Sequence, residues 1–263
     1  MFQVKDNSDS AGNKSLIKAL SILSTFDAST PMQRTSDIAL RLNMNISTVS
    51  RHLNTLLDWG FLERDDMTGF YSAGYKIIAL AGAALQNNDV YRYASVELPK
   101  LSMRCNIHSH MGIPRMGCIV HIISNSCEKT SDLLMPMGHC QPMYCSAMGR
   151  AILAFLPQNK SNEILKNSNR QKYASETKTE LNDLKNELKR AHKDGYAIVI
   201  NELNDDTASL AAPIFDRNGT PIAAISVSTS ARSLSRVERQ RELAQEVVHT
   251  ANKISAKIGY FPK

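Results

Sequence analysis

Ile46-Ser-Thr-Val-Ser-Arg-His-Leu-Asn-Thr-Leu-Leu-Asp58 reads as a helix with two unlike faces. Val49, Leu53, Leu56 and Leu57 recur at i, i+4, i+7 and i+8 and make an apolar side. Ser47, Arg51, Asn54 and Asp58 recur on the opposite side. Asn45 stands where an N-cap is expected, after the short turn 43–45. Upstream, a helix is expected from Thr35, read as its cap, with Asp37 in the first turn where the dipole favours an anion. Before that, Leu16, Ala19, Leu20, Leu23 and Phe26 trace a further helical stripe, broken at 27–31. Downstream, Phe61-Leu-Glu-Arg64 and Phe70-Tyr-Ser72 flank Asp65-Asp-Met-Thr-Gly69 and read as a β-hairpin.

Two helices joined by a short turn, the second with polar groups near its start, suit the DNA major groove, and a following hairpin is a wing. Arg reads guanine edges, Asn reads adenine, and Ser or Thr serves bases or phosphates. The candidate DNA contacts are Ser47, Thr48, Arg51 and Asn54, with Arg64 on the wing and Arg34 before the second helix. His52 is kept among them, although a partly buried spacer is the commoner role for such a residue.

Composition bounds the answer without picking the DNA segment. The chain has 263 residues, 43% hydrophobic and 21% charged, which is ordinary globular usage. Net charge is +6, yet residues 1–80 carry equal numbers of basic and acidic side chains, so placed cations must do the work there. Residues 1–14 are polar and are expected to form a disordered tail without an export signal. No apolar run approaches a membrane span. Five cysteines, Cys105, Cys118, Cys127, Cys140 and Cys145, are expected reduced, in the cytoplasm.

From Pro99 the pattern changes to strands and helices in alternation. Strand character is expected at 105–111, 118–123, 196–200, 210–215 and 221–228, and helices at 146–155 and from Leu181 to Gly195. Asp216-Arg-Asn-Gly219 is a hairpin turn, and Ser235-x-x-Glu238 is expected as a capping box opening a last helix to about Ile258.

The run 46–56, Trp59-Gly-Phe-Leu-Glu-Arg64 and Gly69-Phe-Tyr-Ser-Ala-Gly74 resemble the winged helix-turn-helix of IclR-type transcriptional regulators. So do Met137-Gly-His-Cys-Gln-Pro-Met-Tyr-Cys-Ser-Ala-Met-Gly-Arg-Ala151, Asp194-Gly-Tyr196, Leu210-Ala-Ala-Pro-Ile-Phe-Asp216 and Ala223-Ala-Ile-Ser-Val-Ser228, in that order. Ile46 departs from the family, which usually has Lys or a polar residue there. The resemblance implies an α+β chain. Its parts are a winged domain (15–76), a linker helix that helps dimerise it (77–95) and a GAF-like α/β effector-binding domain (96–263).

Ser146-Ala-Met-Gly149 opens a helix whose first N–H groups form an anion site. Ser226 and Ser228 share one face of a strand. The resemblance implies that the positions of Ala147, Met148, Ser209, Ser226 and Ser228 line the effector pocket. Met135, Met143 and Met148 offer adaptable apolar lining. Val199 and Ile200 replace residues that lean acidic in the family, and Ala208 stands where Arg is frequent, so a less polar pocket for an aromatic or longer-chain carboxylate is expected.

An enzyme is not expected, because none of the common catalytic motifs occurs. Cys145 at a helix start, where a thiol's pKa would fall, is the one nucleophile considered. Neither cofactor nor metal is expected. The expected function is a ligand-responsive transcriptional regulator, a dimer or tetramer on a double-stranded operator, sensing a small organic acid. The alternative is an effector sensor whose winged helix contacts proteins instead of DNA.

Overall fold

The computed structural model describes residues 13–126 and 135–261. The expected tail up to Gly12, and Cys127, lie outside them. Two compact units meet between Asn87 and Asn88.

The first unit opens with α1 (Lys14–Leu23), capped by the Asn13 side chain, which accepts from Ser15 and Leu16 N–H. Lys14 therefore belongs to a helix, not to a tail. β1 (Met32–Gln33) and α2 (Thr35–Leu42) follow. The N-cap of α2 is Arg34, one residue before the expected Thr35; its N–H donates to the Asp37 carboxylate at 3.1 Å. Asn43, at φ +50°, ends α2, a conformation Asn tolerates well. α3 (Ile46–Asp58) has the bounds that its periodicity predicts. Asn45 takes the cap position, but its side chain makes no capping bond. β2 (Leu62–Arg64) and β3 (Tyr71–Ala73) form the hairpin, and β1 adds to it in the order β1-β3-β2. Ile22, Ile38, Val49, Leu53, Leu56, Leu62 and Tyr71 close the core. α4 (Tyr75–Gln86) completes this unit and buries no residue; Tyr75, Ile78 and Leu80 are exposed.

The second unit begins with α5 (Asp89–Cys105). The sequence reading placed one linker helix over 77–95; the stretch is instead divided between α4 and α5, and α5 does not stop at 95. It runs on through Pro99, because the carbonyl that Pro99 leaves without a donor is that of Ser95, which is exposed. The next elements are β4 (His108–Arg115), β5 (Cys118–Asn125), β6 (Cys140–Pro142), α6 (Ala147–Phe155), α7 (Gln158–Asn167) and α8 (Leu181–Asp194). After them come β7 (Ala197–Ile200), β8 (Thr207–Phe215), β9 (Pro221–Ser230), α9 (Ala231–Leu234) and α10 (Val237–Lys257). The expected capping box is absent: Ser235 ends α9, and Arg236 is the N-cap of α10.

The strands pair antiparallel in the order β6-β5-β4-β9-β8-β7. Alternation sorts their side chains. Leu210, Ala212, Ile214, Ile225 and Val227 pack with α5 and α10, where Leu98, Leu101, Val247 and Ile254 meet them. Ala197, Val199, Ala211 and Ala224 face α6 and α8, against Ala147, Met148, Leu184 and Leu188. Ser209, Ser226 and Ser228 are in phase with that second set and lie on the α6 side.

Gly149 sets how closely α6 approaches the segment before it. A Cβ there would stand 2.3 Å from both Cα and O of Met143. Gly149→Ala is expected to destabilise the second unit by about 1–3 kcal/mol through overpacking, despite alanine's better helix propensity. Urea unfolding measures it; a wild-type midpoint would show that the backbone there yields freely.

Candidate functional site

On α3, Ser47, Arg51, Asn54 and Asp58 are exposed and Thr48 is partly so. The Arg51 guanidinium makes no ion pair among the described residues. His52 is a correction: it is 7% exposed and packs on the core side, at i+3 from Val49. Burial, aided by Arg51 and Lys18 nearby, pushes its pKa below the usual histidine value, so it is a neutral spacer. At the wing, the Arg34 guanidinium lies 4.7 Å from the Phe70 ring centroid, and that of Arg64 lies 5.6 Å from Tyr71. Asp65 holds the turn by accepting from Met67 and Thr68 N–H at 2.8 and 3.1 Å. Both arginines thus keep their charge at the surface while ring faces restrict their swing.

In the second unit, Met135, Ala147, Met148, Ser209, Ser226 and Ser228 line one cavity, as a set. His121, Gln141, Val199, Leu203, Asn204 and Thr207 complete it. Its volume is about 40 Å³, room for roughly three waters. None of these lining residues carries a full charge at neutral pH.

The floor is sheet. Ser209 and Ser228 are opposite each other and their hydroxyls are 2.9 Å apart. Ser226 lies across from Ala211 on one side and His110 on the other. A bulge at Met111/Gly112 shifts the register so that Gly112 faces His121. A Cβ on Gly112 would come within 2.3 Å of Ile119 Cγ2 and 3.3 Å of Met148 Cε, so glycine lets the wall close in.

One wall is the start of α6. Ser146 caps it by accepting from Gly149 N–H at 3.2 Å. The amides of Ala147 and Met148, at the first helical positions, have no carbonyl within the helix to bind. The facing wall is the loop 201–206, entered and left at positive φ by Asn201 and Asp206. Arg150 ties the two walls together. Its Nη1 and Nη2 donate to Glu202 Oε1 and Oε2 at 2.6 and 2.5 Å, and its Nε donates to the Tyr144 carbonyl at 2.8 Å. Both side chains are nearly water-free, at 1% and 3% exposure. Glu202 also accepts from Lys178 N–H, and its carbonyl accepts from Thr177 Oγ1.

Cys145 is not a reactive thiol. It is fully buried, and desolvation pushes its pKa up to about 12, overriding any help from the helix start. Among the described residues, no group of three or more His, Cys, Asp or Glu is placed to hold a metal ion. No described helix is long and apolar enough to cross a membrane.

Sequence reading missed His121, Gln141, Leu203, Asn204 and Thr207. The lining is neutral, but it carries more polar groups than the expectation of a less polar pocket allowed.

A winged helix-turn-helix unit followed by a sheet unit with a small neutral cavity defines a sensor that binds DNA. Residues 15–66 match the IclR helix-turn-helix domain, and residues 82–256 match the bacterial transcriptional regulator IclR C-terminal domain. The chain belongs to the IclR family of DNA-binding transcriptional regulators, whose C-terminal domain binds effectors. The HTH-type transcriptional regulator KdgR of Escherichia coli (strain K12) is 29% identical over 226 residues, 86% of this chain and 85% of that protein. The solved structure of Thermotoga maritima IclR is 29% identical with a TM-score of 0.77, covering 94% of this chain and 99% of that one. An IclR homolog from Microbacterium hydrocarbonoxydans, solved in complex with 4-hydroxybenzoate, is 22% identical with a TM-score of 0.80, covering 93% and 98%.

Breaking a buried ion pair leaves an uncompensated charge, which costs about 3–5 kcal/mol. Glu202→Ala is expected to lower stability on that scale, while the double variant Arg150→Met with Glu202→Leu recovers much of it. Denaturant titration of the three proteins checks this; a small loss for the single variant would show that water reaches Arg150.

Proposed function

We propose that the chain represses or activates transcription by binding an operator as a homo-oligomer, and that a small carboxylate in the second unit's cavity alters that binding. The observation that carries this reading is the cavity itself. Donors converge on it from the start of α6 and from three strand serines, and no anionic side chain lines it. A carboxylate is held there by helix-start N–H groups and hydroxyls, as such ligands are at other helix termini.

Ser47, Thr48, Arg51 and Asn54 meet bases or phosphates, and Arg34 and Arg64 meet phosphates or the minor groove. The exposed apolar residues of α4 and the family's linker-helix role support pairing of two copies through that helix. An aromatic acid enters if Met135 and Met148 move aside, and methionine's flexible thioether makes that movement cheap. The 4-hydroxybenzoate complex of the M. hydrocarbonoxydans relative favours that class. The acid shifts operator affinity only by the difference in its own affinity for the two DNA-binding geometries.

Arg51→Ala is expected to cost about 1–3 kcal/mol of operator affinity, and Arg64→Ala to lower the salt slope by about one. Fluorescence anisotropy on operator DNA reads both. Ser228→Leu is expected to leave operator binding intact and remove the response to acids. Unchanged affinity in Arg51→Ala would overturn the α3 assignment. A normal acid response in Ser228→Leu would take Ser228 out of the pocket.

A further inference from the structure

His121 is 2% exposed, lines the cavity, and has no hydrogen-bond partner at either ring nitrogen. Buried polar groups are rarely left so, because each unmade bond costs the group's full desolvation. Its ring neighbours do not relieve it. His110 meets it edge-on with ring centroids 5.6 Å apart and His139 lies tilted at 5.8 Å, and neither gives it a hydrogen bond. Gln141, its neighbour on the lining, favours the charged ring, but burial outweighs it. His121 stands on β5 opposite Gly112, beside the bulge at Met111/Gly112, and its side chain lines the cavity.

The chemistry of the ring narrows the ligand. Burial pulls its pKa down to about 4, so it stands neutral at pH 7. A neutral imidazole offers one N–H donor and one acceptor nitrogen, and no charge. It therefore cannot neutralise a second carboxylate. No Lys or Arg lines the cavity to do so, and an unpaired buried charge is costly. A ligand hydroxyl is both donor and acceptor and suits such a ring, where a hydrogen or methyl leaves it unpaired.

We propose that His121 is the specificity-determining contact for a hydroxyl group, and that the effector is a hydroxylated monocarboxylate. This rests on the acid-binding reading of the cavity. The carboxylate takes the α6 start and the serines, and the hydroxyl takes His121.

The test is isothermal titration of the full chain with two matched sets of acids. One set is 4-hydroxybenzoate, benzoate and terephthalate; the other is 3-hydroxybutyrate, butyrate and succinate. Within at least one set the hydroxy acid is expected to bind about 10-fold or more tighter than the acid lacking the hydroxyl, since a site built to bond a hydroxyl rejects the analogue without it. The dicarboxylate is expected to bind weakest. In His121→Leu the hydroxy and plain acids come within about twofold of each other. His121→Asn, which keeps a donor and an acceptor, restores part of the preference, and circular dichroism confirms that each variant folds. Equal binding of hydroxy and plain acids by the wild type, or an undiminished preference in a folded His121→Leu protein, overturns the role of His121 alone. Absence of binding to all six acids overturns the acid-binding reading with it.

Discussion

A guanidinium and a carboxylate, both removed from water, fix the geometry on which the sensing unit depends. Arg150 projects from α6, Glu202 from the loop after β7, and their two parallel hydrogen bonds hold helix and loop together. Ala147 and Met148 at the α6 start and the loop residues Leu203 and Asn204 line the same cavity. The ion pair is expensive to bury and only its full set of partners makes it tolerable. Lys178 N–H and the Tyr144 carbonyl supply those partners. With the helix start fixed in this way, its unpaired N–H groups are held in place beside the cavity in which we propose a carboxylate binds.

The sheet contributes a second constraint. Period-two alternation sends one set of residues into the α5/α10 core and the serines toward α6. A one-residue slip would exchange the two sets and put Val227 and Leu210 in the cavity. Pairing of β8 with β9 over their lengths makes that slip costly. Polar lining and hydrophobic core are thus specified by the same hydrogen-bond register. The first unit follows different logic. Its function needs cations at the surface of a residue range with no net charge, so each is placed individually. Arg34 and Arg64 are restrained by Phe70 and Tyr71, and Arg51 by its helical position.

Much of this was legible in the sequence. α3 has the bounds its periodicity implied, and the serine spacing on β9 marked one face before any pairing was known. His52 was also readable. Counting from Val49 places it with Leu53 and Leu56 on the apolar side of α3. Cys145, weighed as a nucleophile and not adopted, shows that a helix-start dipole is weak beside complete burial. Pro99 misled because a proline in a helix costs little where the carbonyl it abandons meets water. His121, Gln141, Asn204 and Thr207 were not legible. Their place on the cavity comes from the order β6-β5-β4-β9-β8-β7 and from a bulge at Met111/Gly112, neither of which leaves a local pattern.

The most direct measurement of the central claim is fluorescence anisotropy of the full chain on DNA from upstream of its own gene. It is run against random DNA at two salt concentrations, with and without an acid panel. The account predicts preference for the upstream sequence, affinity that falls steeply with salt because phosphate contacts release counterions, and a shift when an acid that occupies the cavity is added. Equal, acid-insensitive binding to both DNAs would contradict it.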